Sequence, residues 1–229
     1  MPTRSFDHAW KHARTISGWL TEAQAQVLHD EASRACGIVV EIGSHLGRST
    51  VVLASAAERV VAIDPFPSDW RYGDHGTAAS FRHNLLAADV AGVVTLLEEH
   101  STDVLARWDQ EIGLLYVDGK HDVVSCLRDL GWTRWLPDGA SFLVHDAFSS
   151  VGVTLAMLVV GVTSRRSRFL GRTGSLALFE RASPSPADRL RLLAQLPWFG
   201  RNLVVKVLLR LRLGAVARLM GHIGRADPY

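Results

Sequence analysis

Four ionisable residues fall into two short stretches of the chain. Asp118 and His121 lie in LLYVDGKHD (114–122), and His145 and Asp146 in PDGASFLVHDAF (137–148). Each aspartate follows a short apolar run of the kind that forms a buried parallel strand. Two carboxylates at neighbouring strand ends can share a hard divalent cation, with water and substrate oxygens completing its shell. Such a cation holds vicinal oxygens and lowers a hydroxyl pKa. Asp118 and Asp146 are therefore candidate metal ligands. An imidazole beside them can take a proton from a hydroxyl, which makes His121 the first candidate base and His145 the second. His145 can alternatively ligate the metal or orient substrate. The purely structural readings are helix caps for Asp118 and Asp146, and a surface histidine beside a turn for His121.

A second chemical stretch is VEIGSHLGRST (40–50). It superficially resembles a triphosphate loop. A Walker loop, however, needs four residues between its glycines and a Lys before the Ser/Thr. Here three residues separate Gly43 from Gly47, and Arg48 replaces the Lys. A GxGxxG dinucleotide signature is also absent. What remains is a glycine that allows a sharp strand exit, followed by a helix N-terminus that offers amides to a carboxylate. Glu41 can accept from a cationic amine. A molecule carrying both an amine and a carboxylate fits, and the methionine part of S-adenosylmethionine presents that pair. Gly43, Ser44, Gly47 and Ser49 join Glu41 as candidate contacts. Asp64 ends the next strand, where an acid grips ribose hydroxyls in folds of this type.

The elements that must position these residues alternate. Strands are expected at 36–42, 59–63, 93–97, 112–117 and 140–144. Helices are expected at 49–57, 77–89, 101–108, 122–135 and 151–162. Residues 167–170 and 176–180 flank GRTG and read as a hairpin. Five β-then-α units followed by one antiparallel pair predict an α/β, Rossmann-like doubly wound sheet. It is mostly parallel with a terminal antiparallel hairpin and has helices on both faces. Residues 1–35 form a helical lead-in, with Thr21 as an N-cap. Residues 36–183 form the ligand-binding domain, and 184–229 a basic helical extension.

Composition narrows the function classes. The chain has 229 residues, a formal net charge of +2 and 48% hydrophobic residues, so neither nucleic acid nor a membrane is indicated by bulk charge. Cys36 and Cys126 are too few for a disulfide framework and form no CxxC pair, which suggests a reducing cytoplasmic setting. The N-terminal twenty residues carry charges throughout and lack a signal-type apolar core. The most apolar run, 151–162, is too short to span a bilayer and is read as a buried helix.

With these motifs together, residues 36–181 resemble the class I S-adenosylmethionine-dependent methyltransferases. VDGKH and the acidic residue after the fifth strand are similar to the macrocin-type sugar O-methyltransferases. The resemblance implies a Mg2+-assisted methyl transfer to a sugar or glycoside hydroxyl, the 1-hydroxyl of a methylated mannoside among them. It also implies that His100 and Ser101 line an adenine pocket and that Asp118 adjoins the cofactor. In those enzymes the residue before the second Asp is often an acidic ligand, and here it is His145. Catechol-type enzymes place an Asn after that Asp, where this chain has Ala147. The Asn/Asp-Pro-Pro-Tyr signature of base methylation is missing, so a saccharide rather than RNA is the expected partner.

The loop FPSDWRYGDHG (66–76) lies beside the expected cofactor, and its Trp70, Tyr72 and His75 are candidate acceptor contacts. The tail interleaves Arg189, Arg191, Arg201, Lys206, Arg210, Arg212, Arg218 and Arg225 with Leu and Val. That pattern suits a helical cap or homodimer surface, or an amphipathic helix touching an anionic membrane. A homodimer is expected. A small phenol as acceptor and a non-catalytic binding module are the rival readings.

Overall fold

The computed structural model describes residues 4–68, 74–222 and 224. Helices α1 (Phe6–Ala13) and α2 (Glu22–Arg34) lead into strand β1 (Ile38–Ile42). There follow α3 (Arg48–Ala56), β2 (Arg59–Ile63), α4 (Thr77–Ala87), β3 (Val94–Leu97), α5 (Ser101–Ala106), β4 (Ile112–Val117) and α6 (Val123–Leu130). A 3₁₀ turn (Gly131–Trp135) then precedes β5 (Ser141–Val144) and α7 (Val151–Thr163). Strands β6 (Arg168–Thr173) and β7 (Leu176–Glu180) form the hairpin, and α8 (Pro186–Leu193), α9 (Leu196–Arg210) and α10 (Gly214–Leu219) form the tail.

The seven strands pair in the order β3-β2-β1-β4-β5-β7-β6. The first five are parallel, and β7 joins β5 antiparallel. This is the expected doubly wound sheet with a terminal hairpin. Alternation along each strand feeds two separate cores. Ile38, Val40 and Ile42 of β1 face the α6 and α7 side with Phe142 and Phe179. Val39 faces the α1, α2 and α3 side with Leu28, Val52 and Tyr116. Each fully buried large side chain removes enough apolar surface to contribute roughly 1.5–3 kcal/mol.

Local signals place several boundaries. Thr21 caps α2 through a capping box with Gln24, each side chain bonding the other residue's backbone N–H. The hairpin differs from expectation. GRT belongs to β6, and Thr173 pairs with Leu176, so the turn is Gly174-Ser175. Gly174 supplies the positive φ of +58° that the tight turn needs, whereas Gly171 sits at a register shift within the strand. The helix expected over 122–135 closes at Leu130 and finishes as the 3₁₀ turn. The lead-in helices share a core with α3, and Gln24 reaches across to the Ser175 hydroxyl. The 151–162 run is a helix as expected, but it is buried on one side only, since Val151, Leu155 and Val159 are about half-exposed while Val153, Ala156 and Met157 pack into the core. By length and composition alone, Pro186–Arg210 is long and apolar enough to cross a membrane.

Candidate active site

The parallel ladder continues one residue past the strand ends. Gly43 N–H donates to Ile63 C=O (2.9 Å) and Asp64 N–H to Leu97 C=O (3.1 Å). Asp118 N–H donates to Ile42 C=O (2.8 Å) and His145 N–H to Val117 C=O (2.9 Å). These bonds align four chemically useful residues along one carboxyl edge, where open α/β sheets bind ligands. A cavity of about 840 Å³ opens there, a volume suited to a small molecule.

The glycine loop forms one wall. Gly43 has φ +88°, and a Cβ there would lie 2.1 Å from Asp118 C=O, so only glycine lets the two strand exits cross this closely. Asp64 is buried and braces the loop. Its Oδ2 accepts from Ser44 N–H (2.9 Å) and His45 N–H (2.8 Å), and its Oδ1 from Phe66 N–H (2.7 Å). Ser44, Ser49 and Asp64 border the cavity, as do His100, Ser101 and Asp118.

Glu41 and Gly47 are not on that wall. Strand alternation turns Glu41 towards α3, where it is fully buried and accepts from the Ser49 and Thr50 hydroxyls. Both carboxylate oxygens are thus engaged inside the protein rather than open to an amine. Burial pushes its carboxyl up to about 7, against the pull of those hydroxyls. Gly47 caps α3 in the left-handed region beside Phe81. Arg48, in the place of a Walker lysine, turns back to Ile16 and Gly18 C=O and lies over Trp10.

The residues after β3 also differ in detail. His100, not Ser101, occupies the N-cap position of α5, and the Ser101 hydroxyl instead donates to Asp129. Burial raises the Asp129 carboxyl to about 6. Of the acceptor-loop candidates, Trp70 and Tyr72 lie outside the described residues. His75 is exposed in the turn before α4 and does not border the cavity.

The cluster at the ends of β4 and β5 is compact. His145 Nδ1 lies 3.4 Å from Asp118 Oδ1 and 3.8 Å from Asp146 Oδ2. His121 Nε2 lies 3.3 Å from Asp146 Oδ2 and 3.6 Å from Asp118 Oδ1. Tyr116 donates its hydroxyl to Asp118 Oδ2 (3.1 Å). Neither aspartate caps a helix: Asp122 caps α6, and Ser150 occupies the N-cap position of α7. Asp146 is held at φ +53° and Phe148 at +58°, a left-handed backbone that costs a non-glycine residue about 1 kcal/mol. Asn202 Nδ2 donates to Phe148 C=O (2.9 Å) and Lys206 Nζ to Ser149 C=O (2.7 Å), clamping this turn from α9.

The histidines differ in access. The His145 side chain is 4% exposed, while that of His121 is 45% exposed on the cavity wall. Burial pulls the His145 ring down, but the Asp118 carboxylate more than reverses this and holds it well above the ordinary imidazole range. Burial pushes Asp118 up, and His145 and His121 outweigh it to hold the carboxyl well below the usual range. Both ring nitrogens of His145 are buried and make no hydrogen bond among the described residues. One ligand atom each from Asp118, His145 and Asp146 falls within a 4.8 Å set. A buried unbonded imidazole facing two carboxylates fits a divalent cation.

The sequence did not point to the N-terminal contribution. Ser17, Gly18, Trp19 and Leu20 form part of the cavity wall. Trp19 is half-exposed and stacks on His45 at 6.1 Å. Its only signal was an aromatic in the lead-in.

Residues 40–147 match the family model described as a methyltransferase domain. In fold the chain is similar to the O-methyltransferase TomG from Streptomyces achromogenes, involved in tomaymycin synthesis and solved in complex with SAM. That match has 19% identity and a TM-score of 0.57, and covers 78% of this chain and 89% of that one. It is similar to the SAH-bound methyltransferase PaMTH1 from Podospora anserina (13% identity, TM-score 0.60, covering 78% and 88%). It is also similar to CalS11, a TDP-rhamnose 3'-O-methyltransferase of calicheamicin biosynthesis (18% identity, TM-score 0.53, covering 76% and 93%). The fold is shared with these O-methyltransferases, and the match to a methyltransferase domain covers residues 40–147.

Proposed function

We propose that this protein transfers a methyl group from S-adenosylmethionine to a hydroxyl of a sugar or glycoside, such as the 1-hydroxyl of a methylated mannoside, assisted by a divalent cation. The observation that carries the reading is the Asp118–His121–His145–Asp146 cluster on the same cavity as the Gly43 loop and Asp64. The cavity at the strand ends suits the cofactor, with Asp64, Ser101 and Asp129 as its polar walls. In this reading Glu41 positions Ser49 rather than touching the amine.

Asp118, His145 and Asp146 would hold the cation, Mg2+ or, given the imidazole nitrogen, Mn2+. When bound, it would fix acceptor oxygens and lower the hydroxyl pKa. His121 is the base because it alone of the two histidines reaches the cavity with substantial exposure. Its Nε2 is occupied by the carboxylates, so Nδ1 is the acceptor for the hydroxyl proton. The oxygen attacks the methyl carbon, the carbon–sulfur bond breaks, and neutral S-adenosylhomocysteine leaves. Asp118 and Asp146 then stabilise the imidazolium. Trp19 places an aromatic ring on the cavity wall, and CalS11, a fold neighbour, acts on a TDP-sugar.

The test is calorimetric titration with S-adenosylhomocysteine beside ATP and NAD. Micromolar binding of the first alone is expected, followed by a saccharide acceptor screen with Mg2+ and Mn2+. Failure to bind S-adenosylhomocysteine removes the cofactor assignment. Turnover of phenols but not saccharides reassigns the acceptor.

A further inference from the structure

Helix α9 is apolar on two sides, and the described residues cover only one. Its inner side carries Asn202 and Val205, both fully buried, and clamps the turn that bears Asp146. Its outer side carries Leu196, Gly200, Val204 and Val207, and continues to Leu211 just past its end. These positions recur every three or four residues and so form one stripe. Exposure along it rises from 38% at Leu196 to 63% at Leu211. Leu213, Val216 and Leu219 follow, also exposed. A helix on the surface of a globular protein ordinarily turns polar residues outward, and an apolar patch of this extent marks a contact surface.

The charge around the stripe selects the contact. Residues 189–224 contain seven Arg or Lys and no Asp or Glu. Arg210, Arg212 and Arg218 are exposed and form no ion pair among the described residues. A second copy docking about a twofold axis would set this patch on itself. That would oppose cations to cations, with no acid in the segment to pair with them. An anionic bilayer satisfies both features, since its acyl boundary accepts Leu and Val while its phosphates meet the arginines.

We propose that α9 and α10 seat this protein on the surface of an anionic phospholipid bilayer, α9 lying in the plane with its outer stripe at headgroup depth. Pro186–Arg210 has the length and composition to span. A turn at Ala194 and Gln195 interrupts the helix between α8 and α9, however, and the inner side of α9 is buried in the protein, so the helix lies on the membrane rather than through it. The catalytic turn then sits about one helix diameter (~10 Å) from lipid.

The experiment is cosedimentation of the full chain with vesicles of phosphatidylcholine alone or with about 30% phosphatidylglycerol, alongside sedimentation velocity without lipid. Binding to the anionic vesicles should exceed that to neutral ones by at least about tenfold and weaken at about 0.5 M salt. Val204→Ser combined with Val207→Ser and Leu211→Ser should abolish it while S-adenosylhomocysteine affinity stays unchanged. Arg210→Glu with Arg212→Glu, which leaves the apolar stripe intact, should lower it at least about tenfold. Absence of binding to anionic vesicles overturns the proposal. So does a dimer that the serine substitutions dissociate in a protein that ignores vesicles.

Discussion

His145 Nδ1 faces Asp118 Oδ1 across 3.4 Å, and neither nitrogen of that ring makes a hydrogen bond among the described residues. Two carboxylates and a nearly inaccessible imidazole converge on one small volume. The Asp118 carboxylate raises the His145 pKa well above the ordinary imidazole range, so a proton on this ring competes with a cation for the same pocket.

That relationship sets a pH dependence for the metal. The carboxylates raise the His145 pKa, and a metal needs the neutral ring, so binding must expel a proton. Mn2+ affinity should therefore rise with pH through the elevated histidine pKa and level off above it. Titration calorimetry between about pH 6 and 8.5, in buffers of different ionisation enthalpy, reads both affinity and proton release. A pH-independent affinity with no proton release contradicts the assignment of His145 as ligand. Asp118→Asn should weaken the metal at least about tenfold.

His121→Ala removes the only histidine of the cluster with substantial access to the cavity. Turnover should fall about 10²- to 10⁴-fold, with S-adenosylhomocysteine affinity changed less than about twofold. Full turnover in this variant would transfer the role to another group or to the metal-held hydroxyl alone.

Glu41 gives a stability signature that is independent of catalysis. Its folded pKa is raised from 4.5 to about 7, chiefly by burial. A raised acid binds its proton more tightly when folded. Its stabilising contribution is thus complete below about pH 4.5 and is lost as pH rises to about 7. Glu41→Gln should flatten the loss of stability over that window and gain up to roughly 3 kcal/mol relative to the parent at pH 8. Urea unfolding of both proteins at pH 5 and 8 measures it. Parallel pH profiles would show that Glu41 is ionised when folded.

Asp64 accepts three backbone N–H groups from the loop and the β2 exit. Asp64→Ala leaves them unsatisfied at about 1–3 kcal/mol each where water cannot reach. The melting temperature should drop by several degrees, and S-adenosylhomocysteine should bind at least about tenfold more weakly. Unchanged affinity in a destabilised variant would limit Asp64 to bracing the loop.

Trp19 borders the cavity from the N-terminal segment. Trp19→Ala should raise the KM for a saccharide acceptor about fivefold or more while leaving cofactor affinity intact. An effect on the cofactor alone would move Trp19 out of the acceptor site.

Much of the architecture was legible in the chain because its causes are local. Short continuous apolar runs gave β2 and β4 with their observed bounds, Thr21 with Gln24 three residues on gave the start of α2, and a glycine after β1 gave its sharp exit. The order of the runs placed Asp64, Asp118 and Asp146 near one sheet edge. Other features depended on residues far apart in sequence. Glu41 reads as an open carboxylate until strand alternation turns it onto the Ser49 and Thr50 hydroxyls of α3. GRTG reads as a turn until pairing of Thr173 with Leu176 moves the reversal to Gly174-Ser175. His121 and His145 read alike, and only packing buries one while the other meets the cavity. Ser17–Leu20 becomes a wall because α1 and α2 pack on α3, and the turn after Asp146 is held by Asn202 and Lys206, more than fifty residues away. Backbone propensity and capping act over a few residues and are written in the sequence. Which side chain faces which is set by the close packing of distant elements, and that was decided only in the folded protein.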